Sequence, residues 1–212
     1  MKPTARDAPW TPDKLQIAAF EPFERLPLER IALVATAAQA AEAAAALAGA
    51  TVLGFDTESK PTFTKGEVSD GPHIVQLASA ERAWVFQLHD PDCRVAVARL
   101  LAETPASKVG FGLGDDLRRI RAKLGVEVRG VVDLNGLFRQ RGHRQDVGVK
   151  SAVALLFQRR FLKSGKASTS NWAARELTES QLLYAANDAW AALRVFEALR
   201  RLAPDTAVRS PP

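Results

Sequence analysis

Cysteine is almost absent. Cys93 is the only one in 212 residues, which excludes an internal disulfide and leaves no thiolate set for a zinc site. Long apolar runs are missing as well: none approaches the roughly 18 residues needed to cross a bilayer. The most apolar stretch, Thr36 to Ala50, is mostly alanine interrupted by Gln39 and Glu42, and it reads as a helix against a sheet. Met1 to Arg6 is not followed by an apolar core, so no secretory signal is expected. No internal repeat and no second domain are visible. These absences lead to the expectation of a cytoplasmic protein with no membrane contact.

What is present is an ordinary globular composition, 47% hydrophobic and 25% charged, on a chain long enough for one domain with a real core. The 29 Lys and Arg exceed the 24 Asp and Glu, for a net charge of +5. If several carboxylates are neutralised by metal, the remaining surface is more basic than this count, which suits a nucleic-acid partner.

The prolines at 3, 9, 12, 22 and 27 predict an irregular arm over residues 1–29, lying over the domain and anchored by Trp10, Phe20 and Phe23. From residue 30 to 203 the pattern is regular. Short apolar runs predict strands at Ile31–Ala35, Thr51–Thr57, Ile74–Ala78, Ala83–Leu88, Lys108–Phe111 and around Val131. Helices are expected from Thr36, at 92–101, from Asp115, at 134–140 behind an Asp133 cap, at 147–157 and at 179–202. Thr36 with Gln39 and Thr178 with Gln181 have capping-box spacing, and Gly49 is placed to end the first helix. The tail over 204–212 is expected to be disordered. Strands first, with inserted helices, and helices later indicate an α/β fold on a mixed β-sheet flanked by helices.

Three segments carry candidate chemistry. In Phe55-Asp56-Thr57-Glu58, the strand period of two puts both carboxylates on one face, where like charges are costly without a cation. A strand entering solvent accounts for the segment equally well. Gly110-Phe111-Gly112-Leu113-Gly114-Asp115-Asp116 gives a tight strand-to-helix passage, at which one aspartate, Asp115 by preference, does no more than cap. Its spacing does not match a dinucleotide fingerprint, and no acidic residue occupies the ribose position. Tyr184 and Asp188 stand i and i+4 on a mostly apolar helix, where an unpaired aspartate is hard to bury.

Together, and in this order, these segments resemble the DEDD superfamily of exonucleases, in its tyrosine-containing branch (DEDDy), which includes RNase D and the Werner-type exonuclease domain. The likeness spans about residues 30 to 202. It also takes in Ile74-Val75-Gln76-Leu77-Ala78 and Ser170-Asn171-Trp172. The resemblance implies a ribonuclease H-like exonuclease fold and a 3′–5′ exonuclease that trims nucleic acid from a free 3′ end, DNA and RNA both remaining open. It implies two divalent cations, Mg²⁺ or Mn²⁺, held by Asp56, Glu58, Asp116 and Asp188, with Tyr184 orienting the attacking water. Asp116 is preferred to Asp115 because the family's second aspartate falls eight residues after the strand lysine, here Lys108. The sister branch carries a histidine five residues before the last aspartate; that position is Leu183 here.

Oxygen-only ligands suit Mg²⁺ or Mn²⁺, and two such ions can stabilise both the entering and leaving oxygens of an in-line displacement. No small-molecule cofactor is expected. Arg159, Arg160, Lys163 and Lys166 are candidate phosphate contacts, as is Lys150 within a second group with Arg139, Arg141 and Arg144. Phe63 is a candidate contact for the terminal nucleotide. Each of these is equally at home on a solvated face or as a loop anchor. The competing reading is a degenerate family member that binds nucleic acid without cutting; all five motif positions are filled here, which favours the enzyme.

Overall fold

The computed structural model describes residues 11–62 and 69–202, and its strands follow the apolar runs. They are β1 (Ile31–Val34), β2 (Val52–Glu58), β3 (Ile74–Ala78), β4 (Ala83–Gln87), β5 (Ser107–Gly110) and β6 (Val131–Asp133). One mixed sheet results, in the order β1-β4-β3-β2-β5-β6. β2, β3 and β4 form an antiparallel meander, and β1, β5 and β6 join it in parallel. The helices are α1 (Lys14–Ala19), α2 (Ala37–Leu47), α3 (Pro91–Glu103), α4 (Gly114–Leu124), α5 (Leu134–Gln140), α6 (Val149–Phe157), α7 (Gly165–Ser168) and α8 (Glu179–Arg201).

The pleat divides the core into two layers. Leu53, Phe55, Val75, Leu77, Trp84 and Phe86 pack on one face with Leu47 of α2 and Val97 and Leu101 of α3. On the other face Ile74, Ala78 and Val85 meet Ala185, Ala186 and Ala189 of α8. Each buried Leu or Phe contributes about 1.5–3 kcal/mol, so packing rather than helix propensity holds these layers. The alanines of α8 let it lie close to the sheet. Gly54 completes that fit, since a Cβ there would overlap the Ala189 carbonyl. A methyl at Gly54 would push α8, and with it Asp188, away from β2.

Both expected caps at the ends of α8 and α2 are present in some form. Thr178 and Gln181 make a full capping box. At α2 the Gln39 N–H donates to Thr36, but the Gln39 side chain accepts from Ala35 instead of closing the box. α6 starts two residues later than the sequence suggests: Gly148 is its extended N-cap, and the Val147 N–H before it donates to Asn135 Oδ1 at 2.7 Å.

The arm is more regular than expected. Asp13 opens α1 with a capping box, and a 3₁₀ turn covers Leu28–Arg30. Pro22 bridges to Arg160, the Phe23 N–H donates to the Arg160 carbonyl, and the Arg160 N–H donates to Glu21. The Phe23 ring lies 5.0 Å from Phe157 and 5.8 Å from Trp190 between centroids. Of the three expected anchors, Phe23 fills the role and Phe20 is half-buried. Trp10 and the 204–212 tail lie outside the described residues, and no helix among the described residues is long and apolar enough to cross a membrane.

Candidate active site

Three elements converge at one end of the sheet. β2 carries Asp56 and Glu58 on the face that α8 covers, and α8 brings Asp188 against them because Gly54 permits the close approach. One oxygen from each of Asp56, Glu58 and Asp188 lies within 4.8 Å of the others. Asp56 and Glu58 are half-buried and Asp188 is buried. Burial raises the Asp56 pKa well above the usual carboxylate range, and the Asp188 and Asp116 charges add to the rise. Burial, then Asp56 and Asp188, push Glu58 up to about 9. Burial raises Asp188 too, although the neighbouring Lys163 ammonium opposes the rise.

Asp116 approaches from the other side. The pleat sends Thr57 away from α8, and the Thr57 hydroxyl donates a short hydrogen bond to Asp116 Oδ1 in the first turn of α4. Burial raises the Asp116 pKa despite that bond. The turn that delivers α4 is pinned by Asp133, whose carboxylate accepts from the Gly112 and Leu113 N–H groups at 3.2 and 3.0 Å while also capping α5. Gly112 adopts φ +63 there, a conformation that favours glycine. Asp115 does not cap α4, as the sequence suggests it would: Leu113 occupies that position without a side-chain bond. Asp115 instead pairs with Arg118 at 2.9 Å, both side chains 73% exposed.

Tyr184 sits one turn before Asp188 with its ring 5.8 Å from that of the fully buried Trp172. The Ser170-Asn171-Trp172 segment is tied to α8 through Gln181, whose amide donates to Ser170 Oγ at 3.0 Å. Burial, then the Asp188 charge, push the phenol pKa up to about 12, with Lys163 working the other way. Lys163 Nζ is 2.5 Å from Asp188 Oδ2 and 4.8 Å from the centre of the Tyr184 ring. Burial alone would lower the Lys163 pKa, but the Asp188 carboxylate outweighs it and holds the ammonium above its ordinary value.

A 3′–5′ exonuclease family model matches residues 31–203, the segment that contains every one of these carboxylates. The chain belongs to this family. It is 28% identical to a 3′–5′ exonuclease of Arabidopsis thaliana over 159 residues, 74% of this chain and 55% of that protein. The chain thus spans about half the length of that curated relative. Among solved structures, the Aedes aegypti Nibbler EXO domain superposes with a TM-score of 0.69 at 22% identity, covering 84% of this chain and 90% of that one. The Trypanosoma brucei RNase D complex with RNA U12 superposes with a TM-score of 0.69 at 22% identity, over 87% of this chain and 64% of that one. The exonuclease chain therefore has the RNase H-like fold of RNase D-type domains.

Exonucleases of this family typically use divalent ions, and the donor set fits them. It is all oxygen, the carboxylates outnumber Lys163, the one ammonium in direct contact with them among the described residues, and the buried Asp188 Oδ1 receives no donor in hydrogen-bonding geometry. Beside the carboxylates opens a cleft of about 560 Å³, lined in part by Phe23, Arg25, Lys163, Ser180, Tyr184 and Asp188.

The expected substrate contacts separate. Lys163 enters the site, and the exposed Lys150 is close enough to lower the Asp188 pKa. Arg160 holds the arm instead, its Nη1 donating to the Ala18 carbonyl at 2.9 Å. Arg159 and Lys166 are exposed, away from the carboxylates' contacts, and Phe63 lies outside the described residues. In the second basic group, Arg139 pairs with Asp146 and Arg141 donates to the Leu199 carbonyl.

Three positions matter more than the sequence suggests. Thr57 sits inside the first motif yet serves the second. Asn187 clasps the arm, its Oδ1 accepting from the Leu26 N–H at 2.7 Å and its Nδ2 donating to the Leu26 carbonyl at 3.2 Å. Gln76 lies opposite Asp56 in the β2–β3 register, fully buried, with neither amide atom hydrogen-bonded. Its position in the apolar Ile74–Ala78 run is the signal, since a buried amide without partners is costly.

Proposed function

We propose that this exonuclease domain hydrolyses phosphodiester bonds one nucleotide at a time from a free 3′ end. Asp56, Glu58, Asp116 and Asp188 would hold two divalent cations, Mg²⁺ or Mn²⁺, and Tyr184 would make it a member of the tyrosine-containing branch. The observation that carries the reading is the convergence of Asp56, Glu58 and Asp188 within 4.8 Å. Three carboxylates so placed repel one another strongly in a water-poor site, and one ammonium does not balance them.

The cations supply charge to activate water and stabilise the oxygens that gain charge as the bond breaks. The chain's own groups do the rest. β2 and α8 fix the carboxylates at one edge of the cleft, and Asp133 fixes the turn that aims Asp116. Tyr184 keeps its proton at neutral pH, since its pKa lies near 12. The phenol therefore orients the attacking water by hydrogen bonding and takes no proton from it. The domain itself spans residues 30–203 in this reading, with the arm as an integral wall, because Asn187 and Arg160 bind it.

RNA is the first substrate to try, given the RNA bound by the T. brucei RNase D. End-labelled RNA and DNA oligonucleotides, single-stranded and with recessed 3′ ends, should be shortened stepwise from the 3′ end with Mg²⁺ or Mn²⁺ and left intact in EDTA. Full trimming in EDTA would sink the cation assignment. No trimming of any substrate with either ion would sink the catalytic one.

A further inference from the structure

Lys163 stands where a basic residue of a surface run would not be expected. Its ammonium is 2.5 Å from Asp188 Oδ2, its side chain is 27% exposed, and that of Asp188 is 4% exposed. The main chain before it is fixed: Arg160 is bonded on both sides to the arm at Glu21 and Phe23, and Phe161 is buried. After it, Ser164 caps α7 through the Ala167 N–H. The backbone is thus held at both ends, and the four-carbon side chain is the part free to move. Its other neighbour is Tyr184, which it meets through a side-chain hydrogen bond and through the ring, 4.8 Å away. The same ammonium lines the cleft, which also presents Arg25 and Ser180 along with the carboxylates of Glu24 and Glu179.

We propose that Lys163 is an exchangeable counter-ion: it neutralises Asp188 while no divalent cation is bound, yields that carboxylate to the cation, and then meets a phosphate of the nucleic acid in the cleft. The inference rests on the carboxylate site proposed above. A carboxylate oxygen paired with an ammonium at 2.5 Å is a cation position already filled by a tethered charge. Binding a free cation at Asp188 requires the ammonium to leave, and a displaced ammonium facing an open cleft is best placed against a polyanion. Metal loading and substrate binding are thereby linked through one side chain, each favouring the other.

The test compares wild type, Lys163→Met and Lys163→Arg, with circular dichroism to confirm that each is folded. Mn²⁺ binding is measured calorimetrically without substrate. Binding of a single-stranded oligonucleotide carrying 3′ phosphorothioate linkages is measured by fluorescence anisotropy at saturating Mn²⁺. Lys163→Met should bind Mn²⁺ about tenfold more tightly and the oligonucleotide several-fold more weakly, within the usual range of coupling between linked sites. Lys163→Arg should stay near wild type in both. Equal Mn²⁺ affinity for wild type and Lys163→Met would overturn the exchange. So would tighter Mn²⁺ binding with unchanged oligonucleotide affinity, which reduces Lys163 to a local counter-ion. If no protein binds Mn²⁺, the carboxylate site itself fails, and the inference falls with it.

Discussion

On the α8 side of β2, Asp56, Glu58 and Asp188 crowd within 4.8 Å of one another around one ammonium. On the α4 side, Asp116 accepts a hydroxyl from Thr57, and Asp115 stands in solvent against Arg118. A single strand supplies both arrangements, because its side chains alternate between faces. On the α4 side burial raises Asp116 while the Thr57 hydroxyl opposes the rise, and Asp115 meets Arg118 in solvent. On the α8 side burial raises all three carboxyl pKa values, and repulsion adds to the rise at Asp56 and Glu58. The fold sustains that crowding through the apolar layers beneath, and a cation bound as proposed would relieve it.

The largest effects should come from the crowded side. Asp56→Asn should cut turnover by roughly 1000-fold or more, the scale of several kcal/mol lost with a metal site. It should also stabilise the cation-free fold, since it removes one of the repelling charges. The pH dependence gives a second view. Glu58 titrates near 9 against 4.5 for an ordinary glutamate. A carboxyl with a raised folded pKa contributes its stability fully below the ordinary value and loses it as pH climbs toward the folded one. Wild type in EDTA should therefore melt lower at pH 8.5 than at pH 5.5. Asp56→Asn should flatten that fall, because the Asp56 charge helps to raise Glu58. A wild type whose melting temperature holds or rises over this range would show that the carboxylates are not electrostatically crowded.

Tyr184→Phe comes next. The variant keeps the ring against Trp172 and removes only the hydroxyl, so single-turnover trimming should slow by roughly 10–1000-fold, the range for a lost positioning or oxyanion contact. Mn²⁺ affinity should change little. A normal rate, or lost Mn²⁺ binding, would show that the phenol does something other than orient water.

Much of the crowded side is legible in the sequence, because it follows from local periods. Asp56 and Glu58 share a strand face at a period of two, and Tyr184 and Asp188 share a helix face four residues apart. The capping box at Thr178 fixes where α8 begins. The arm is illegible for the opposite reason. Its prolines suppress any period, and its order comes from bonds to Arg160 and Asn187, far away in the chain. The run from Arg159 to Lys166 looks uniform as a string of charges, yet the fold turns Arg160 toward the arm and Lys163 into the site. Only the path of the backbone, set by those distant bonds, separates them. Thr57 escapes notice because its partner lies across the sheet on α4.

The smallest effect should fall at Asp115, and it is the one that most sharpens the contrast within α4. The two aspartates are adjacent in sequence but differ in surroundings: Asp116 is held by Thr57 next to Asp56, whereas Asp115 and Arg118 are both 73% exposed. An exposed pair of this kind contributes about 0.2–1 kcal/mol, largely screened by salt. Asp115→Asn should therefore shift the melting temperature slightly and leave the trimming rate within about twofold of wild type, since no cation or substrate contact depends on it. Asp116→Asn, assayed beside it, should lose activity on the scale of Asp56→Asn. Both variants keep an acceptor for local hydrogen bonds, so the comparison isolates charge at each position. The opposite pattern, with Asp115→Asn inactive and Asp116→Asn trimming normally, would place the fourth ligand one residue earlier. It would also mean that the first turn of α4 rotates when the site is loaded, carrying Asp115 in from solvent and breaking the bond between Thr57 and Asp116.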